Sequence, residues 1–458
     1  MEVEKLNAWD KLTPAQQQQA HQFATGYRNF LTQAKTERQA VKLVIEAVRE
    51  HGFQPLEAFS RLQQGDKVYQ SIYGKALCLA VVGEHPIEQG FRIVGSHMDA
   101  PRLDLKPNPI YEESGLVFAK THYYGGVKKY QWAAVPLALH GIVITAEGKT
   151  VNISLGEGAD EPVFTITDLL PHLAKDQLDK KIREALKGED LNILVASVPV
   201  GAQNVKARVK ANLLEILHKQ YGITEEDFVS AELEAVPAGA ARQVGFDKGL
   251  IGGYGQDDRA CVYTSLQALF DINHPKMTSI ALFADKEETG SAGSTGMKSN
   301  LLEDFVSELN ALMGNKFEQL SVRRALRRSK ALSADGTVGF DPNFPDVVDK
   351  YNTASLGGGV VISKYSGVGG KNDTSDASAE FVGEVRRIFN QANIAWQSGE
   401  LGKVDQGGGG TIAQYMARYG MEVVDCGPAM LSLHSPFELT SVVDIYSCYR
   451  AYREFFNY

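Results

Sequence analysis

The sequence predicts an α/β fold interrupted by a β-rich insertion, and three observations carry that reading. Apolar, β-prone runs end in polar residues: 91–95 leads into Ser96-His97-Met98-Asp99, and 280–284 leads into Asp285-Lys286-Glu287-Glu288. Helical periodicity flanks those runs on both sides. From about 108 to 242 the pattern changes to short alternating runs separated by turns. The expected organisation is a discontinuous α/β domain, 1–107 plus 243–458, with an inserted β-rich domain at 108–242.

Taken in order, Thr13-Pro14 is a helix start, and Phe23, Tyr27, Phe30 and Leu31 form its apolar face. Val41, Val44 and Val48 do the same for a second helix ending near His51. Strands follow at 76–82 and 91–95. Inside the insertion, 116–118, 135–144, 151–155 and 193–200 read as strands, and the polar segment 174–190 as helical. The α/β pattern then resumes. Gly255-Gln256-Asp257-Asp258 opens a helix, 279–284 is a strand, and 300–313 is a helix. A basic run at 323–330, a short run closing at Asp335, strands at 357–365 and 421–426, and helices at 378–392 and 441–456 complete the chain.

With 458 residues, 43% of them hydrophobic and 22% charged, the chain is long enough for two or three domains with a sizeable core. A net charge of −9 argues against nucleic acid or an anionic membrane as partner. The first residues, Met1-Glu2-Val3-Glu4-Lys5, have no apolar signal core, and no stretch approaches a membrane span. Four scattered cysteines, none in a Cys-x-x-Cys pair, fit reduced thiols and a cytoplasmic protein.

The chemistry concentrates where strands end. In open α/β sheets ligands gather at the carboxyl ends of strands. Of the adjacent Glu287 and Glu288, one can bind a metal while the other takes a proton from a water beside it. An isolated Glu-Glu pair is usually an exposed turn, so the reading depends on finding the rest of a metal site. His97 and Asp99 share a side of their strand, and a carboxylate so placed can fix the tautomer of a metal-bound imidazole. Asp257 and Asp258 open a helix, where an acid is also a good N-cap. Asp335 and His434 each follow a strand-like run. Imidazole and carboxylate ligands together suit zinc, and less selectively cobalt or manganese.

Here the sequence resembles the aspartyl aminopeptidase and vacuolar aminopeptidase I family of two-metal peptidases, over nearly its whole length. The resemblance rests on Gly95-Ser96-His97-Met98-Asp99-Ala100-Pro101, on Asp257 with the later Leu266-Gln267-Ala268-Leu269, and on Asp285-Lys286-Glu287-Glu288-Thr289-Gly290-Ser291. Ser333-Ala334-Asp335, Leu433-His434-Ser435 with Glu438, and Pro171-His172 complete it. It implies a mixed-sheet α/β/α two-metal exopeptidase domain with an inserted β-rich dimerisation domain. It also implies two divalent metal ions per subunit, zinc first, with cobalt or manganese as alternatives. His97, Asp257 and Asp335 would hold one ion. Asp257, Glu288 and His434 would hold the other, with Asp257 bridging. Glu287 would be the general base and Asp99 would orient His97. The resemblance further implies dimers assembled into a tetrahedral dodecamer, in which His172 reaches a neighbouring subunit's substrate. Taken alone, His172 also fits a surface histidine in a helix-start turn.

Two departures bear on specificity. Aspartyl members carry a histidine three residues beyond the metal-binding aspartate, where this chain has Val338. They carry a lysine on the following strand, where this chain has Ser363, with Lys364 next to it. A neutral or broad N-terminal preference therefore fits at least as well as an acidic one. The expected activity is removal of the N-terminal residue from peptides with a free N-terminus. The rivals are a two-metal deacylase or carboxypeptidase on the same scaffold, and a non-catalytic oligomeric cargo protein. The loop 407–410 (Gly-Gly-Gly-Gly before Thr411) could present backbone N–H groups to substrate. It lacks the Gly-Lys-Ser/Thr ending of a phosphate loop.

Overall fold

The computed structural model describes residues 7–201, 206–314 and 319–458; the N-terminal motif read for a signal core lies outside them. Two compact units emerge. One comprises the chain up to Asp99, Ala241–Leu433 and Phe437–Tyr458; the other is Ala100–Ala240 with His434–Pro436. The second unit starts earlier than the composition change at Lys106-Pro107 suggests. The strand Arg102–Glu113 already pairs with Leu116–Tyr124, and its register shifts between Leu105 and Ile110, around Pro107 and Pro109. Proline donates no ladder hydrogen bond, so it settles at such irregularities rather than at the domain edge.

The first unit is built on a nine-stranded mixed sheet. Its order is Gln54–Pro55, Lys67–Ile72, Ala76–Val81, Thr278–Ala284, Phe91–His97, Lys330–Ser333, Glu422–Gly427, Val360–Ser363, Trp396–Ser398. Phe91–His97 runs parallel to both Thr278–Ala284 and Lys330–Ser333, and the latter runs parallel to Glu422–Gly427. The central strands are buried on both faces, which explains their continuous apolar runs. Alternate residues feed two cores. Leu79, Val94, Ala281 and Leu332 pack with the helices Glu37–Glu50, Gln256–Phe270, Ala379–Gln391 and Val442–Asn457. Ala80, Ile93, Leu282 and Ala331 pack with Leu301–Leu312, Gln319–Arg328 and Ala413–Ala417. The expected basic run is the exposed face of Gln319–Arg328, whose Val322, Ala325 and Leu326 are buried. A five-stranded sheet, Arg242–Val244, Leu250–Gly253, Glu438–Ser441, Ala429–Leu431 and Thr337–Val338, completes this unit.

The second unit carries a seven-stranded sheet whose pairings are all antiparallel. Two features differ from the sequence expectation. Segment 174–190 forms only the four-residue helices Lys175–Leu178 and Ile182–Ala185 with short 3-10 turns. Helices so short need tertiary packing, yet Leu178 and Ile182 are exposed. The long helix of this unit is Arg208–Tyr221 instead, ended by Gly222 in the left-handed region, whose N–H donates to the Leu217 and His218 carbonyls. That glycine after Val209, Leu213 and Leu217 was the sequence signal for it. Among the described residues no helix is long and apolar enough to cross a membrane.

Candidate metal centre and active site

Parallel pairing brings the chemistry-bearing residues together. His97 sits opposite Ala284, directly before the acidic turn, and Ser333 sits opposite Gly95, so Asp335 follows at the same end of the sheet. His97, Asp257 and Glu288 offer ligand atoms within 4.8 Å of one another, as do His97, Asp258 and Asp335. His97 Nε2 lies 3.4 Å from Asp257 Oδ1 and 3.9 Å from Asp335 Oδ1. His97, Asp257 and Asp258 are buried, while Asp335 and Glu288 are half-buried.

Asp99 ties the two halves of this arrangement. Its Oδ1 lies 3.3 Å from His97 Nδ1. The same carboxylate accepts from the backbone N–H groups of Glu287, at 3.1 Å, and Glu288, at 3.2 Å. The Asp99 side chain pins the Glu287–Thr289 turn, and it orients the imidazole together with the Asp99 backbone carbonyl oxygen, 3.0 Å from His97 Nδ1. Asp257 is held from the other side. Glu438 Oε2 accepts from Gln256 N at 2.6 Å and from Asp257 N at 3.2 Å. Asp257 and Asp258 are joined by a cis peptide and have non-helical φ/ψ; Gly255 takes the N-cap position of the helix, without a side-chain cap hydrogen bond. Asp258 Oδ2 accepts from the His97 backbone N–H at 3.3 Å. In the sequence Asp258 reads as an acid at a helix start and a candidate N-cap, not as one of the assigned ligands; only the fold places it in the cluster.

The electrostatics suit a cation. Burial, and then the neighbouring Asp257, push the Asp258 and Asp335 carboxyls well above the ordinary range. Burial alone would lower His97, but Asp257 and Asp99 beside its ring nitrogens outweigh it and raise the imidazole. A dication among these groups reverses both trends. One imidazole amid carboxylate oxygens, clustered and buried, is a donor set that fits zinc.

The remaining expected residues stand as follows. Glu287 is half-buried in the turn beside Glu288. His434, in the left-handed region, groups with the second unit, and its Nδ1 is 3.0 Å from the Gly126 carbonyl oxygen. Neither ligand cluster contains it. His172 lies exposed in the 3-10 turn Pro171–Leu173 of the second unit. Val338 is half-buried and Ser363 buried, and Lys364 Nζ lies 3.9 Å from Asp376 Oδ1.

A family model described as aminopeptidase I zinc metalloprotease (M18) matches residues 30–456. This chain belongs to the M18 aminopeptidase family. It is a zinc-dependent metalloaminopeptidase, in keeping with that description. A probable M18 family aminopeptidase 1 of Clostridium acetobutylicum is 46% identical over 99% of this chain and 98% of its own length. The crystal structure of an M18 aminopeptidase from Thermotoga maritima superposes with a TM-score of 0.96 at 43% identity, covering 100% of both chains. The S. cerevisiae mApe1 dodecamer shares the fold at 22% identity, with a TM-score of 0.76 over 94% of this chain and 96% of that one.

Proposed function

We propose that this M18 enzyme hydrolyses the N-terminal residue of peptides by a two-metal mechanism with Glu287 as general base. The observation that carries the reading is the Asp99 carboxylate, which joins the His97 imidazole to the Glu287–Glu288 turn beside a buried cluster of ligand atoms. His97, Asp257 and Asp335 would hold one divalent ion. Asp257, Glu288 and His434 would hold the other. When bound, the two ions polarise the scissile carbonyl and lower the pKa of a water. Glu287 takes that water's proton and delivers it to the leaving amine. Asp99 keeps His97 in the tautomer that presents Nε2 to the cluster. Glu438 holds Asp257 in place through two backbone N–H groups.

Val338 and Ser363 provide neither the histidine nor the lysine of the aspartyl members, so a neutral or broad N-terminal preference is expected. The second unit exposes Leu169, Leu170 and Leu173 around His172. A second copy covering them would form a dimer, and dimers would assemble as in the S. cerevisiae dodecamer, with His172 serving a neighbour's substrate. The four cysteines are all unpaired and buried, which fits a reducing, cytoplasmic compartment.

The test is hydrolysis of amino-acid anilides, Leu, Met, Ala and Lys beside Asp and Glu, against N-acyl amino acids, after chelation and zinc return. Turnover of neutral anilides is the expected result. Cleavage of N-acyl substrates alone would replace this reading with a deacylase. No turnover of either, with zinc bound, would favour the non-catalytic cargo role.

A further inference from the structure

One buried carboxylate of the catalytic unit has no part in the mechanism above. Asp425 sits in the Glu422–Gly427 strand, opposite Ser333 on one side and Ser363 on the other. No cation pairs with it among the described residues, and its Oδ2 has no hydrogen-bond partner there. Burial pushes the carboxyl up to about 6 despite the Thr411 and Ser333 hydroxyls, which pull it down. A buried carboxylate held by hydroxyls alone is costly, and an apolar side chain would suit the position better for stability. Its contribution therefore lies in what it holds.

Asp425 holds Thr411. Thr411 Oγ1 donates to Asp425 Oδ1 at 2.7 Å, and accepts from Ala413 N at 3.2 Å and from Ser333 Oγ at 3.4 Å. Thr411 ends the loop 407–410. The loop is clamped in its middle by Gly367 N donating to Gly409 O at 2.7 Å. Gly408 has φ 135°, and a Cβ there would lie 1.8 Å from the Gly367 carbonyl oxygen, so no side chain fits. The Gly409 carbonyl is thus spent on Gly367. The N–H groups of Gly408, Gly409 and Gly410 donate to no acceptor among the described residues, and these residues are half-buried or exposed.

The anchor lies one row below the candidate metal centre. Ser333 precedes Asp335 by two residues, and Gly95, whose Cβ would lie 3.1 Å from Ile412 Cδ1, precedes His97 by two. Two residues of strand span roughly 7 Å.

We propose that Asp425 is a positioning residue that holds loop 407–410 as a strap of backbone N–H donors for an oxygen acceptor of the substrate. The acceptor is either a peptide carbonyl beyond the scissile bond or a side-chain carboxylate. The strap rests on the reading that the scissile bond lies beside His97 and Asp335.

Thr411→Val removes the hydroxyl that reaches Asp425, with Thr411→Ser as the conservative control and Asp425→Asn as the second variant. The substrates are a leucine anilide, an aspartate anilide and the tripeptide Leu-Gly-Gly. KM for at least one substrate rises about tenfold in Thr411→Val, the worth of a lost hydrogen-bonded anchor, with zinc content and kcat little changed. Thr411→Ser restores it. A rise confined to the tripeptide assigns the strap to a peptide carbonyl; one confined to the aspartate anilide assigns it to a carboxylate. Unchanged KM on all three, or loss of zinc in Thr411→Val, overturns the proposal. If the wild-type enzyme cleaves none of them, the aminopeptidase reading fails first. The strap is then judged by titrating the intact tripeptide: weaker binding to Thr411→Val sustains it, and equal binding overturns it.

Discussion

Five carboxylates of the catalytic unit and three of the inserted unit are perturbed in opposite directions; Asp349 of the catalytic unit, lowered by Asn352, follows the second group. In the catalytic unit Asp258, Asp285, Asp335, Asp425 and Asp444 are all raised, and burial is the largest cause each time. In the inserted unit Glu161, Glu189 and Asp227 are all lowered, by hydrogen bonds from backbone N–H groups or Lys106. Glu161, for example, closes a turn by accepting from Gly156, Glu157 and Gly158 N–H. Both units expose large apolar side chains, Phe246, Tyr351 and Val404 among those of the catalytic one, but the inserted unit gathers several of its own in one stretch of chain. Leu169, Leu170, Leu173, Leu178 and Ile182 of the inserted unit are more than half exposed or close to it. One unit concentrates negative charge away from water, which calls for a cation or a proton. The other satisfies these three carboxylates with hydrogen-bond donors, Glu161 and Glu189 at the surface and Asp227 in the interior, and leaves apolar area for a partner.

The largest effect should come from the one acid assigned to chemistry. Glu287→Gln should lower kcat about a thousandfold, the usual worth of a general base, with zinc content unchanged. Activity within tenfold of wild type would remove Glu287 from that role.

A raised carboxyl away from the metal centre tests the comparison through stability. Asp444 accepts from Gly357 N and Gly359 N, each at 2.7 Å, yet burial lifts it from 3.8 to about 7. The sign follows from the raised folded value. The group's contribution to stability is full below about pH 4 and is lost as pH rises through 7. At about 1.4 kcal/mol for each unit the loss has a ceiling on the order of 4 kcal/mol. Urea unfolding from pH 5 to 8 should show the decline. A flat profile would place the Asp444 carboxyl in the ordinary range.

Asp99→Ala should act through its two partners, the His97 ring and the Glu287–Glu288 turn. Loss of such a supporting carboxylate typically costs 10–100-fold in metal affinity. Competition with a chelator reads it directly, and an unchanged zinc affinity would reduce Asp99 to a turn contact.

The smallest effect on stability should come from the inserted unit. Leu169, Leu170 and Leu173 changed together to serine should leave monomer unfolding within about 0.5 kcal/mol for each site, because exposed positions hold little packing energy. The mass by light scattering should nevertheless fall. An unchanged oligomer would remove this patch as the contact between copies.

Several of these features were legible in the sequence because they are local. Strand and helix periodicity repeats every two or every 3.6 residues, so the runs ending at His97, Ala284 and Ser333 announced themselves. The helix Arg208–Tyr221 is as periodic, but it lies within a stretch dominated by alternating runs, which mask it despite Gly222. The polar 174–190 segment failed the other way, since charge without an apolar face does not hold a helix together.

By itself the sequence determined the family, the α/β pattern and the chemical types at the strand ends, all of which reside in short motifs and their order. Only the tertiary structure decided which acids face which. Asp99 meets the Glu287 N–H across 188 residues, and Asp258 meets the His97 N–H across 161. Those meetings depend on strand order and register, which no local pattern encodes. Nor does any local pattern reveal that Thr411 reaches Asp425, 14 residues later, beside Ser333 of the neighbouring strand.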